Sequence, residues 1–157
     1  MARYLRFILV ALLVAVADQV IKYVMMDMLN PGQSRQLISG LLALVMWHNP
    51  GAAFGSLGEW AHSRWLLTIV AFVAIIVAFF LLRSQAGCYK RVAVCLGLVA
   101  GGAIGNVIDR LRFGWVVDYI LVYYEDWYWP AFNLADMAIT IGGILLVIFL
   151  WRVTPSK

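Results

Sequence analysis

Charge is scarce in this sequence. Asp, Glu, Lys and Arg make up 13% of its 157 residues and hydrophobic residues 64%, whereas a soluble globular domain carries about a quarter charged and roughly half apolar. With a mean hydropathy of +0.89, the composition is that of a membrane protein, and the length suits no more than one domain. Histidine is almost missing: His48 and His62 are the two present, and neither sits in a zinc motif such as His-Glu-x-x-His. Cys88 and Cys95 have neither the spacing of a metal knuckle nor a disulfide framework, and read as buried or incidental thiols. No Ser has a Lys or His at motif spacing, although distant partners stay open. The net charge of +4 is not gathered into a basic patch interleaved with aromatics, so no nucleic acid is expected as a partner. An internal repeat is also lacking, which argues against the inverted-repeat design of many transporters.

What is present is four apolar runs, at about 5–26, 65–82, 92–108 and 133–151. A helix rising ~1.5 Å per residue crosses ~30 Å of hydrocarbon in about this length. The first run has the charge-then-apolar look of a signal peptide. It continues past the usual length with no small-residue cleavage site, so it is expected to be a retained span. Within it Asp18 and Lys22 lie four apart, on one helical face, with Gln19 beside them. They are either an ion pair that neutralises its own cost or a support for a site. In the third run Gly97, Gly101, Gly102 and Gly105 are spaced for close helix packing in lipid.

Hydrophobicity breaks between 27 and 64. Asn30-Pro31-Gly32 is a turn signal, and 36–38 and 41–47 suit short strands. The loop Asn49-Pro50-Gly51-Ala52-Ala53-Phe54-Gly55 permits close backbone approach. No Gly-Lys-Ser/Thr follows, so it is not a phosphate loop, and Asn49 taken alone suits a turn cap equally well. A further β-prone segment, 116–124, is placed to pair with these strands. Arg3, Arg6, Arg83, Lys90, Arg91, Arg152 and Lys157 fall on one side of the four runs without an acidic side chain. The positive-inside rule then puts both termini in the cytoplasm and the remaining loops outside. The fold expected is a membrane all-α protein of four transmembrane helices with a small periplasmic β-cradle and loop.

The chemistry gathers between Gly105 and Asp136. Asp109, Asp118 and Asp136 lie here with Asn106, Arg110 and Asn133, at the edge of two apolar runs. Ionisable groups at such a depth are costly, and a functional site is the default reading. Asn106 and Arg110 share one helical face, and Asn133 and Asp136 share another. The segment 111–130 is rich in Trp and Tyr, as suits the headgroup level. Two carboxylates brought close cannot both ionise cheaply, so one keeps a proton while the other acts as base. That pair can activate water and protonate a leaving nitrogen. Asp136, in the first turn of a helix, favours the anion; Asp118, on an apolar strand, favours the neutral acid. Asn133 also suits a helix cap, and Asp109 beside Arg110 suits a structural pair. On these residues alone an enzyme and a proton-coupled carrier both stay open, and a non-catalytic scaffold gives no reason for so many acids at one depth.

Asp18-Gln19-x-x-Lys22, the loop from Asn49 to Gly55, Gly105-Asn106-x-x-Asp109-Arg110, Val116-Val117-Asp118-Tyr119 and Phe132-Asn133-x-Ala135-Asp136 occur in this order. With them the sequence closely resembles bacterial lipoprotein signal peptidase, or signal peptidase II, over essentially its whole length. The resemblance implies an aspartic endopeptidase of the bacterial inner membrane that cleaves prolipoproteins before a diacylglyceryl-modified Cys. It implies Asp118 and Asp136 as the catalytic pair. Asn49, Asn106, Arg110 and Asn133 would bind substrate or support the pair, Asp18 and Lys22 would brace it, and Asp109 would be structural. No metal or other cofactor is implied. Membrane lipid and globomycin-type cyclic peptide inhibitors are expected partners, and a monomer is expected.

Overall fold

Helices form where the apolar runs are long enough, and polar or glycine-bearing stretches between them form strands and turns. A computed structural model of the protein describes residues 1–51, 63–84 and 90–153. In chain order these are α1 (Ala2–Met28), β1 (Ser34–Ile38), β2 (Leu42–Asn49), α2 (Ser63–Ser84), α3 (Lys90–Phe113), β3 (Val116–Tyr124), β4 (Trp127–Tyr128) and α4 (Leu134–Val153). Among the described residues, these four helices are long and apolar enough to cross a membrane. Residues 52–55 of the small-residue loop, His62, Cys88 and Lys157 lie outside the described residues. Cys95 is buried as a free thiol.

α3 is the central post. Its apolar window is 72% buried within the protein, against 17–22% for the other three helices. Glycine makes that possible, because lipid supplies no hydrophobic force between helices and association depends on close backbone approach. A Cβ on Gly101 would stand 2.6 Å from the Ala11 carbonyl oxygen of α1, and one on Gly102 would strike the Ala135 carbonyl of α4. α2 is attached differently. Ala78 and Leu82 pack on Val92, Ala93 and Leu96, with Tyr4, Phe7, Leu146 and Phe149 around them.

The four strands form one antiparallel sheet in the order β1-β2-β3-β4. β2 runs to Asn49 rather than stopping near 47, which makes Asn49 a sheet residue paired with Val116, while Trp47 pairs with Asp118. Leu29, Met46 and Val117, with Met25, Met26 and Phe113, seat the sheet on the ends of α1 and α3. The turn expected at Asn30-Pro31-Gly32 is present, with Gly32 at φ 81 and Gln33 N–H donating to the Asn30 carbonyl at 2.9 Å. β4 is not evident from the sequence. It is two residues folded back after Glu125, which takes a left-handed φ of 50. α3 continues to Phe113, beyond the end of the apolar run near 108, so Asp109 and Arg110 are helical, in keeping with the face expected for Asn106 and Arg110.

Candidate active site

The first turn of α4 organises the site. A helix begins with backbone N–H groups that have no partner in the helix, and here each of the first three finds a side chain. Leu134 N–H donates to the Tyr119 hydroxyl at 3.1 Å, and Ala135 N–H to Asp18 Oδ1 at 3.0 Å. Asp136 N–H donates to Asn133 Oδ1 at 2.9 Å. Asp136 Oδ2 accepts the Asn133 N–H in return, at 3.3 Å. The Asn133/Asp136 exchange is a capping box built from Asn and Asp. The cap reading of Asn133 therefore holds, and the same residue serves a second purpose.

Asn133 also reaches the strand. Its Nδ2 donates to Asp118 Oδ1 at 2.7 Å, with the Val117 carbonyl and Asn106 Oδ1 each 3.3 Å away. Asp118 Oδ2 accepts from Asn49 Nδ2 at 2.9 Å, and Asn49 Oδ1 accepts the Gly51 N–H at 3.0 Å. Asp136 Oδ1 accepts from Asn106 Nδ2 at 2.8 Å. Each of the four carboxylate oxygens thus has one N–H donor, and Asn133 touches both acids. Asp118 is 2% exposed. Burial, reinforced by the charge of Asp136, pushes its carboxyl up to about 7, while the bonds from Asn49 and Asn133 pull the other way. Burial also pushes the Tyr119 hydroxyl up to about 12, so it stays neutral.

Behind the pair lies a buried ionic cluster. Lys22 Nζ stands 2.8 Å from Asp18 Oδ2 and 2.7 Å from Asp109 Oδ2, and donates to Asn106 Oδ1 at 3.2 Å. Asp18 and Lys22 pair within α1, and each also contacts a residue beside the two aspartates. Asp109 does not pair with Arg110. It accepts from Gln19 Nε2 at 2.8 Å and from the Val117 N–H at 3.1 Å, because successive residues of a helix point about 100° apart. Gly105 makes room for this cluster, since a Cβ there would meet Asp18 Oδ2 at 2.5 Å.

Arg110 flanks the pair from α3. Its charge acts on both Asp118 and Asp136, its Nη1 donates to the Asn106 carbonyl at 3.4 Å, and its buried Nε has no partner among the described residues. A cavity of about 350 Å³ opens beside it, lined also by Trp65, Thr68, Arg112 and Gly114. A buried guanidinium N–H ordinarily has an acceptor. Among the described residues, no group of three or more His, Cys, Asp and Glu is placed to hold a metal ion. The structure adds two residues that sequence reasoning left without a role. Gln19 has its position in the first motif as a signal. Tyr119 has only its place after Asp118, because nothing local announces a contact with a helix fifteen residues on.

The chain matches the family described as signal peptidase (SPase) II over residues 10–152. It is 42% identical to the lipoprotein signal peptidase of Pseudoalteromonas atlantica, covering 94% of this chain and 90% of that one. With the lipoprotein signal peptidase of Symbiobacterium thermophilum it shares 39% identity over 91% of this chain and 92% of the other. Its structure is similar to that of a bacterial membrane enzyme solved by the in meso method at 2.3 Å resolution, with a TM-score of 0.81 and 32% identity, covering 96% of this chain and 90% of that one. A second bacterial membrane enzyme structure, at 1.9 Å resolution, gives the same TM-score and identity over 94% of both chains. The match to the family spans nearly the whole chain, and the four helices and sheet are those of solved membrane enzymes: the chain belongs to the signal peptidase II family and is a multi-pass membrane peptidase.

Proposed function

We propose that the protein is an aspartic endopeptidase that removes the signal peptide from prolipoproteins, cutting on the N-terminal side of a diacylglyceryl-modified Cys. Asp118 and Asp136 are its dyad. The observation that carries this reading is the single Asn133 side chain donating to Asp118 while accepting from the backbone of Asp136, which joins two acids from different elements into one unit. The unequal surroundings support a division of labour. Asp118, buried on β3 with its carboxyl raised to about 7, holds the shared proton. Asp136, at the start of α4, is the anion that the helix dipole favours.

The reaction then balances without a cofactor. Asp136 takes a proton from water as the oxygen bonds to the scissile carbonyl carbon, and Asp118 gives its proton to the carbonyl oxygen. The resulting gem-diol collapses as Asp136 passes its proton to the leaving nitrogen. A diol proton returns to Asp118 and the C–N bond breaks. The signal peptide leaves with a carboxyl end, the lipid-bearing Cys with a free amine, and the dyad with its single proton.

Arg110, which lines the cavity and whose Nε has no partner among the described residues, holds a substrate backbone carbonyl. Asn49 and Asn106 keep the two acids oriented. The charge distribution of the sequence supports cytoplasmic termini, with the dyad toward the periplasmic face. A lipid-anchored Cys and a membrane-embedded signal helix can both reach that depth without leaving the bilayer. Globomycin-type cyclic peptides would compete for the same groove. Purified protein with a lipidated prolipoprotein is the test. Asp118→Asn and Asp136→Asn are each expected to lower cleavage by about a thousandfold or more. Normal rates in both would end the dyad mechanism, and cleavage without any proton gradient separates a peptidase from a proton-coupled carrier.

A further inference from the structure

We infer that Tyr119 is a positioning residue, whose hydroxyl sets the separation of Asp118 and Asp136 by holding the first turn of α4 against β3. The inference rests on the dyad reading above. The two carboxylates come from a strand and a helix, and their coupling depends on how far apart those elements stand. Tyr119 follows Asp118 directly on β3, and Leu134 lies two residues before Asp136. The bond from Leu134 N–H to the Tyr119 hydroxyl, 3.1 Å long, closes the space between them.

The backbone prepares this contact. Tyr119 and Ile120 N–H both donate to the Phe132 carbonyl, at 3.1 and 2.9 Å, and Phe132 N–H returns to the Ile120 carbonyl at 3.0 Å. Residues 119–120 and 132–134 therefore clasp on both sides of Asn133, the residue that touches both acids. Successive strand side chains point to opposite faces, so Tyr119 works from behind the sheet and leaves the reacting face to Asp118. At 4% exposure it is shielded from water that would compete for the Leu134 N–H. A hydroxyl also suits the task better than a carboxylate. It accepts the helix N–H while adding no further negative charge beside Asp118, Asp136 and Asp18, because burial pushes the hydroxyl up to about 12.

The bond can be removed from either end. Tyr119→Phe deletes the acceptor. Leu134→Pro deletes the donor at the first helical position, where proline is well tolerated because its missing N–H is an orphan anyway. Each variant is expected to lower kcat roughly tenfold with KM within about twofold of the parent. The alkaline limb of the rate profile should also move toward lower pH, because a wider pair couples less and Asp118 gives up its proton earlier. The double variant should lose no more than the worse single one, since both remove the same bond. Additive losses, an unshifted pH profile, or a rise in KM alone would overturn the inference. If Tyr119→Phe does not fold, Leu134→Pro decides by the same kinetic and pH readouts. Dead Asp118→Asn and Asp136→Asn enzymes alongside normal Tyr119→Phe and Leu134→Pro kinetics would sink this inference and leave the dyad intact. Normal Asp118→Asn and Asp136→Asn enzymes would remove the dyad instead.

Discussion

Lys22 Nζ lies 2.7 Å from Asp109 Oδ2, and the two residues are 1% exposed each. Lys22 also meets Asp18 at 2.8 Å, so one ammonium answers two carboxylates in a place with little water. Replacing Lys22 by Met keeps the volume but strands both acids. Breaking one side of a buried ion pair costs about 3–5 kcal/mol, and thermal unfolding in detergent should show a loss of that order. A variant that melts with the parent would mean the cluster is not ionised as drawn.

Gly105 and Gly143 give a matched pair. A Cβ at Gly105 would stand 2.5 Å from Asp18 Oδ2, whereas one at Gly143 meets nothing within 4 Å. Gly105→Ala is expected to displace Asp18 from the Ala135 N–H and to lower both stability and cleavage. Gly143→Ala should be neutral, or stabilising by up to about 1 kcal/mol through helix propensity. The comparison is made by melting temperature and specific activity, and equal behaviour of the two would refute it.

Removing Asn133 attacks two things at once. Asn133→Ala deletes the cap, which is worth about 1 kcal/mol, and also the 2.7 Å bond to Asp118. Activity should therefore fall far more than stability, on the order of a hundredfold, as for the loss of one preorganised donor. Asn133→Ser restores most of the cap but cannot reach Asp118, so it should recover stability without recovering rate.

The pH dependence follows from Asp118. Its carboxyl is raised from 3.8 to about 7, so the protonated form needed as acid disappears as pH climbs through 7, and kcat/KM should decline on that side. Stability carries the same sign. Between pH 4 and 7 the folded state keeps a proton that the unfolded chain has released. Folding stability from this group is thus complete below about 4 and lost as pH rises through 7. Three units correspond to roughly 4 kcal/mol at most. Asp118→Asn should therefore gain stability relative to the parent between pH 5 and 8, by chemical unfolding in detergent.

Cleavage is expected to survive a strong chelator. The four oxygens of Asp118 and Asp136 each accept an N–H, a donor set that suits an acid–anion pair. Loss of activity restored by zinc would require a different mechanism.

The spans were readable from length and hydropathy, and 116–124 as a strand from its β-branched and aromatic run. Gly101, Gly102 and Gly105 were readable as packing residues, but not which helix each one faces, because periodicity carries no information about neighbours. Asp109 was drawn toward Arg110 by adjacency, and the structure turns it toward Lys22, since a helix separates consecutive side chains. Asn133 was legible as a cap; its second bond, to Asp118, needs the strand brought beside the helix. Tyr119 and β4 were invisible for the same reason: their partners are fixed by tertiary pairing. The aspartates stood out because a charge within an apolar sequence is conspicuous before any folding is considered.

The Asp18–Lys22 pair lies within a single helix, and this bears on biogenesis. Synthesis delivers α1 to the bilayer before α3 exists, so a lone charge in α1 would have to wait in lipid for a partner. Four residues apart on one face, Asp18 and Lys22 enter already matched. Asp109 arrives later and joins a cation that is in place. The order in which the chain is made therefore agrees with the order in which its buried charges can be neutralised.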